Sequence, residues 1–96
     1  MTAFLIIDLN INDIGGFMEY VRRIPELIEK YSGRYLVQGV EPKVIEGKDS
    51  PGRSVVLEFP SKDHAEEFLG ERASSDLTDI WVRTTEARIL LVEGVD

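Results

Sequence analysis

The sequence predicts an α+β domain: a four-stranded antiparallel sheet with helices over one face, in the order βαββαβ. Three observations carry that expectation. Four short runs are rich in aliphatic and aromatic residues, and three of them carry apolar side chains in both alternating phases, as strands covered on both faces require. Longer stretches between them repeat apolar residues at helical spacing. Capping and turn residues stand at the junctions.

The first run, "AFLIIDL" from Ala3 to Leu9, is too short for a helix and reads as a strand. Asp13 then stands as N-cap before Phe17, Val21, Ile24, Ile28 and Tyr31, and Ser32-Gly33 ends that helix in a left-handed cap. Pro25 inside it removes a backbone donor and predicts a kink. "RYLVQG", Arg34 to Gly39, is a second strand; Gly39 and Pro42 interrupt it before "KVIEG", the pattern of a bulged edge strand.

"GKDSPG", Gly47 to Gly52, is turn chemistry, and Arg53 to Phe59 is a third strand, apolar in both phases except for Glu58. Ser61 caps a helix carrying Ala65, Phe68 and Leu69, and a fresh cap at Ser74 or Ser75 opens a short helix with Leu77, Ile80 and Trp81. "ARILLVEG", Ala87 to Gly94, is the last strand. Two strand-helix-strand units interleaved in one antiparallel sheet make the ferredoxin-like arrangement.

Ninety-six residues suit a single domain, 1–96, with one core. Eleven Lys and Arg against eighteen Asp and Glu leave a formal charge of −7, which repels nucleic acid and anionic membrane surfaces. The absence of cysteine excludes disulfides, thiolate nucleophiles and Cys-rich metal sites. "MTAFLIIDLN" has no basic n-region and its apolar run stops at Asp8, so the expectation is a soluble cytoplasmic domain. Gly15-Gly16 lacks the spaced glycines of a nucleotide fingerprint, and "GVEPKVIEGK" lacks the Gly-Lys-Ser/Thr ending of a phosphate loop.

"SGRYLVQGVEPKVIEG", "RSVVLEFPSKDHAEEF", Arg83 and the closing "LLVEG" together resemble the bacterial domain-of-unknown-function family 1330, within the dimeric α/β-barrel superfamily. The resemblance spans nearly the whole chain, and the strand-Pro-Ser-helix junction is its most specific part. It implies a homodimer paired sheet to sheet. Relatives in the superfamily include cofactor-free monooxygenases, lactone isomerases and heme-degrading enzymes, which bind small hydrophobic substrates between sheet and helices. The family usually shows Gly-Gly after the first helix and Arg-Gly-Gly in the second strand; here Ser32-Gly33 and Gln38-Gly39-Val40 stand there, so that arginine's charge is absent.

Candidate chemistry falls at the two ends of the sheet. Asp8, Asn10, Asn12 and Glu19 match the spacing of an EF-hand loop, but Asp13 takes the glycine position and a strand precedes it, so no metal site is predicted. His64, the single histidine, falls at the third position of the helix capped by Ser61; a first-turn histidine whose backbone N–H meets the cap is the plainer reading, and a general base the sharper one.

Because the first and third strands run antiparallel, Asp8 and His64 lie at opposite ends and form no dyad. Arg34, Glu58 and Glu93 fall at the His64 end, where Arg34 and Glu58 make either a structural ion pair or, with His64, a site. Gln38, Trp81, Arg83, Arg53 and Tyr20 gather at the other end, where an indole beside a guanidinium can form the mouth of a pocket.

Two readings of function follow. One is a homodimer that binds a small, largely apolar molecule between sheet and helices, with cofactor-free isomerase- or monooxygenase-like chemistry as the activity the resemblance implies. The other is a structural or interaction module without a pocket. The residues specify no reaction and no cofactor. A cavity lined by Gln38, Trp81 and Arg83 separates the first reading from a solidly packed second.

Overall fold

The computed structural model describes residues 1–49 and 52–95. Its elements are β1 (Ala3–Ile11), α1 (Ile14–Lys30), β2 (Arg34–Val40), β3 (Arg53–Phe59), α2 (Lys62–Ala73), α3 (Asp76–Thr84) and β4 (Thr85–Glu93). The four strands form one antiparallel sheet in the order β2-β3-β1-β4, the α+β ferredoxin-like arrangement that the sequence predicts.

Strand alternation sorts the two faces of the sheet. Ala3, Leu5, Ile7 and Leu9 of β1, with Leu57 and Phe59 of β3, are buried beneath the helices. The intervening Phe4, Ile6 and Asp8 lie on the face that no helix covers, beside Val56, Glu58, Leu90 and Val92 of the paired strands. The core is completed from above by Phe17, Tyr20, Ile24, Leu27 and Ile28 of α1, Ala65 and Phe68 of α2, and Leu77 and Ile80 of α3.

The caps explain where the helices begin. Asp13 accepts from the Gly16 N–H, Ser61 from the His64 N–H, and Ser75, the second of the two candidate serines, from the Leu77 N–H. Helix α1 runs unbroken through Pro25. It ends in a Schellman turn: the Gly33 N–H reaches Ile28 O at 2.9 Å and the Ser32 N–H reaches Glu29 O at 2.9 Å. The left-handed residue there is Ser32, with φ of 61°, while Gly33 serves close packing, since a Cβ on it would stand 2.5 Å from the Phe59 ring.

Strand β2 is an edge strand with register shifts between Tyr35 and Val37 and between Gln38 and Val40, where Gly39 takes φ of 68°. "KVIEG" does not resume it. Val44 and Ile45 are exposed in an irregular segment, because β2 has already left its partner β3 at the Val40–Ser54 pair. Of the expected turn from Gly47 to Gly52, positions 50 and 51 lie outside the described residues. Strand β4 starts earlier than the apolar run suggests: Thr85 and Glu86 already pair with Ile11 and Asn10.

Candidate functional site

Alternation on the strands and the lifted path of α1 leave a hollow of about 380 Å³ between sheet and helices. Its floor is Leu5, Ile7 and Leu9 of β1 with Val55 and Leu57 of β3; its roof is Phe17, Tyr20, Ile24 and Ile28 of α1; α2 and α3 close one side with Phe68, Arg72 and Trp81. The walls are mainly apolar, and the volume falls within the range of small-molecule sites. Exposed Val21, Gln38 and Arg53 mark its rim near the bulged edge of β2.

One charged group stands inside. Arg72 is 8% exposed, and its Nε donates to the Tyr20 hydroxyl at 2.9 Å. Its guanidinium lies 4.9 Å from the centre of the Trp81 ring and 5.7 Å from that of Tyr20, so two aromatic faces flank the cation. Among the described residues, Arg72 Nη2 is the buried side-chain nitrogen without a hydrogen-bond partner.

The backbone around Arg72 is locked at the α2–α3 junction. Its carbonyl accepts from the Ser75 hydroxyl at 2.8 Å and from the Thr78 hydroxyl at 2.8 Å. Tyr20 packs on Phe17 (centroids 5.7 Å apart) and on Trp81 (4.9 Å), which fixes the phenol that meets Arg72. Burial pushes the Tyr20 phenol above its ordinary value, and the neighbouring Arg72 charge partly opposes that rise. Tyr35, at the cavity edge, is also raised, chiefly by burial.

The residues singled out from sequence divide. Tyr20, Gln38 and Trp81 line the cavity, and Arg53 joins them at the rim, its Nη1 donating to Gly39 O at 2.9 Å. Arg83 is exposed in the last turn of α3 and does not line it. Arg34 and Glu58 form a pair at 2.8 Å on the uncovered face of the sheet, away from the hollow. His64 is exposed, with its Nδ1 2.7 Å from Ser61 Oγ, so the cap serine meets both its backbone and its ring. Asp8 pairs with Arg88 at 2.6 Å at the far end of β1, opposite His64.

Arg72 was the residue that sequence reasoning passed over. A signal exists: Ala65, Phe68 and Arg72 succeed one another at spacings of three and four, so the arginine continues the inward row of α2. Among the described residues no group of three or more His, Asp or Glu side chains is placed to hold a metal ion. No helix among them is long and apolar enough to cross a membrane.

Fold and hollow together define a ferredoxin-like α+β domain with a cavity between its sheet and its helix layer. The chain belongs to the family described as a domain of unknown function, DUF1330, which matches residues 2–95. Its fold is similar to that of a protein of unknown function from Rhodopseudomonas palustris, with a TM-score of 0.80 at 11% identity, covering 99% of this chain and 83% of that one. It is also similar to SnoaB, a cofactor-independent oxygenase from Streptomyces nogalater, with a TM-score of 0.65 at 9% identity over 99% of this chain and 94% of that one. A putative thiamine biosynthesis or salvage protein from Thermotoga maritima aligns with a TM-score of 0.52 at 14% identity, over 98% and 85% of the two chains. At these identities the likeness is one of fold. No curated protein matches the sequence.

Proposed function

We propose that this protein is a cytoplasmic homodimer that binds a small, largely apolar molecule in the hollow between sheet and helices. The observation that carries this reading is the cavity itself: about 380 Å³, walled by aliphatic and aromatic side chains, with Arg72 and Tyr20 converging on it. A structural module has no use for a hollow that leaves buried side chains short of packing partners, since such voids are destabilising. The fold shared with a cofactor-independent oxygenase makes cofactor-free chemistry on the bound molecule the reaction class to assay.

The dimer is supported by the uncovered face of the sheet, where Phe4, Ile6, Val56, Leu90 and Val92 form an apolar stripe. Cytoplasmic placement is supported by a chain of 96 residues without cysteine.

The test is a thermal-shift screen with small lactones, phenols, quinones and heme, followed by amide chemical-shift mapping of each hit. A ligand held in the hollow raises the unfolding midpoint and moves signals of Ile7, Tyr20, Leu57 and Trp81. Hits that move only surface residues, or no hit at all, overturn the reading.

A further inference from the structure

We propose that the cavity takes a small apolar acid, and that its carboxylate is held by Arg72 Nη2 and the Tyr20 hydroxyl. This rests on the small-molecule reading above and adds the chemical class of the ligand. The starting point is an imbalance: Arg72 is 8% exposed, and among the described residues no carboxylate pairs with it. A guanidinium in apolar surroundings is costly unless a partner offsets its charge. Tyr20 and the Trp81 face satisfy part of it, yet Nη2 is buried without a hydrogen bond on a residue that lines the hollow.

The geometry selects an anion of a particular kind. Arg72 Nε is already committed to Tyr20, which leaves the Nη groups for an incoming oxygen, and Nη2 is the one buried without a partner. Tyr20 accepts from Arg72 and keeps its own O–H for donation, which the raised phenol retains at neutral pH. One carboxylate therefore finds two donors, one for each oxygen, beside a single cation. A phosphate dianion leaves a second charge unpaired against Leu, Ile and Phe walls, and a chain of net charge −7 repels it on approach. The remaining volume is apolar, so the body of the acid is an aromatic or alicyclic hydrocarbon.

Three acids and their primary amides test this: naphthoate, phenylbutanoate and cyclohexanecarboxylate against naphthamide, phenylbutanamide and cyclohexanecarboxamide, titrated by calorimetry at neutral pH. The carboxylates are expected to bind about tenfold or more tightly than the amides to the wild-type chain, as charge-assisted contacts require. Arg72→Met should collapse that ratio to about one, leaving the amides within roughly threefold of their wild-type affinity. If Arg72→Met does not fold, Tyr20→Phe carries the test: it should weaken the acids more than the amides and so narrow the ratio between them.

Acids and amides binding wild type equally would overturn the carboxylate site and leave the small-molecule reading standing. Failure of both series to bind would overturn both. A carboxylate preference that survives Arg72→Met, or one that Tyr20→Phe leaves undiminished where Arg72→Met is not available, would overturn the assignment of these donors.

Discussion

Arg72 Nε donates to the Tyr20 hydroxyl across 2.9 Å, joining the end of α2 to the middle of α1 in an otherwise apolar interior. The phenol is the partner that keeps the guanidinium from standing alone. Tyr20→Phe should therefore destabilise the fold by about 1–3 kcal/mol, the usual penalty for leaving a buried donor unpaired. Equilibrium urea unfolding at neutral pH checks this.

The same contact has a pH signature. Burial raises Tyr20 above 10.0, so the folded chain holds this proton more tightly than the unfolded chain does. Its contribution to stability is complete below pH 10 and is lost as the pH climbs past that value toward the folded pKa. Tyr31, raised chiefly by its hydrogen bond to Glu71, and Tyr35, raised by burial, act in the same direction. Unfolding midpoints measured at rising alkaline pH should fall less steeply for Tyr20→Phe than for the wild type.

The end of α1 offers a pair of opposite effects. Ser32 holds φ of 61°, a region that costs a side-chain-bearing residue about 1 kcal/mol, so Ser32→Gly should stabilise by about that amount. Gly33→Ala should do the reverse, because its new methyl meets the ring of buried Phe59 at 2.5 Å and Cγ2 of buried Ile28 at 2.9 Å. Thermal unfolding of the two variants should move in opposite directions.

At the start of α2, Ser61 Oγ caps the His64 N–H at 3.2 Å and lies 2.7 Å from the ring Nδ1, yet His64 itself is exposed. Ser61→Ala should cost about 1 kcal/mol through the cap, whereas His64→Gln should stay within about 0.5 kcal/mol. A larger loss for His64→Gln would assign the ring contact a weight that its exposure does not suggest.

Acid sensitivity should reside in two contacts that tie the helix layer together. Lys30 and Tyr31 each donate to Glu71 at 2.6 Å, and the Arg23 fork meets both oxygens of Asp76 at 2.6 and 3.0 Å. The hydrogen bond from Lys30 holds Glu71 below its ordinary 4.5, and that from Arg23 holds Asp76 below 3.8. Both groups bind protons less tightly when folded, so their stabilisation is present above those values and is lost as the pH falls through the folded ones. Glu71→Gln with Asp76→Asn should flatten the acid limb of a stability–pH profile, the contacts being exposed and their weight modest.

The sequence is most informative where one rule governs a residue. The strands follow from short apolar runs and the turn residues between them, and the helix starts from Asp13, Ser61 and the Ser74-Ser75 pair, because a cap oxygen and an orphan N–H are local partners. "KVIEG" misleads for the opposite reason: Val44 and Ile45 have strand propensity, but a strand needs a partner, and β3 is used up at Ser54.

The cavity shows the same divide. Tyr20, Gln38 and Trp81 are legible as residues at one end of the fold, but Arg83 sits one step off the inward row of Leu77, Ile80 and Trp81 and faces out. Arg72 reads in sequence as a cation favoured at a helix C-terminus, and only its burial against Tyr20 and Trp81 distinguishes it from one.

The uncovered sheet face yields the last prediction. Its apolar stripe of Phe4, Ile6, Val56, Leu90 and Val92 is bounded by the Arg34–Glu58 pair at one end and the Asp8–Arg88 pair at the other. Four strands at about 4.8 Å spacing, with about five residues each at about 3.3 Å, project roughly 300 Å², a patch of the size that functional surfaces reach. A second copy related by a two-fold axis covers such a face with its own, apolar stripe on apolar stripe, and the charged pairs fall at the rim. Sedimentation at micromolar concentration should report twice the 10.9 kDa chain mass, with an unfolding midpoint that rises with protein concentration. Leu90→Glu should shift the species to monomer while the opposite, helix-covered face keeps its packing, since Leu90 contributes nothing to the buried core. A wild-type chain that sediments as a monomer with a concentration-independent midpoint would leave this face exposed and sink the dimer.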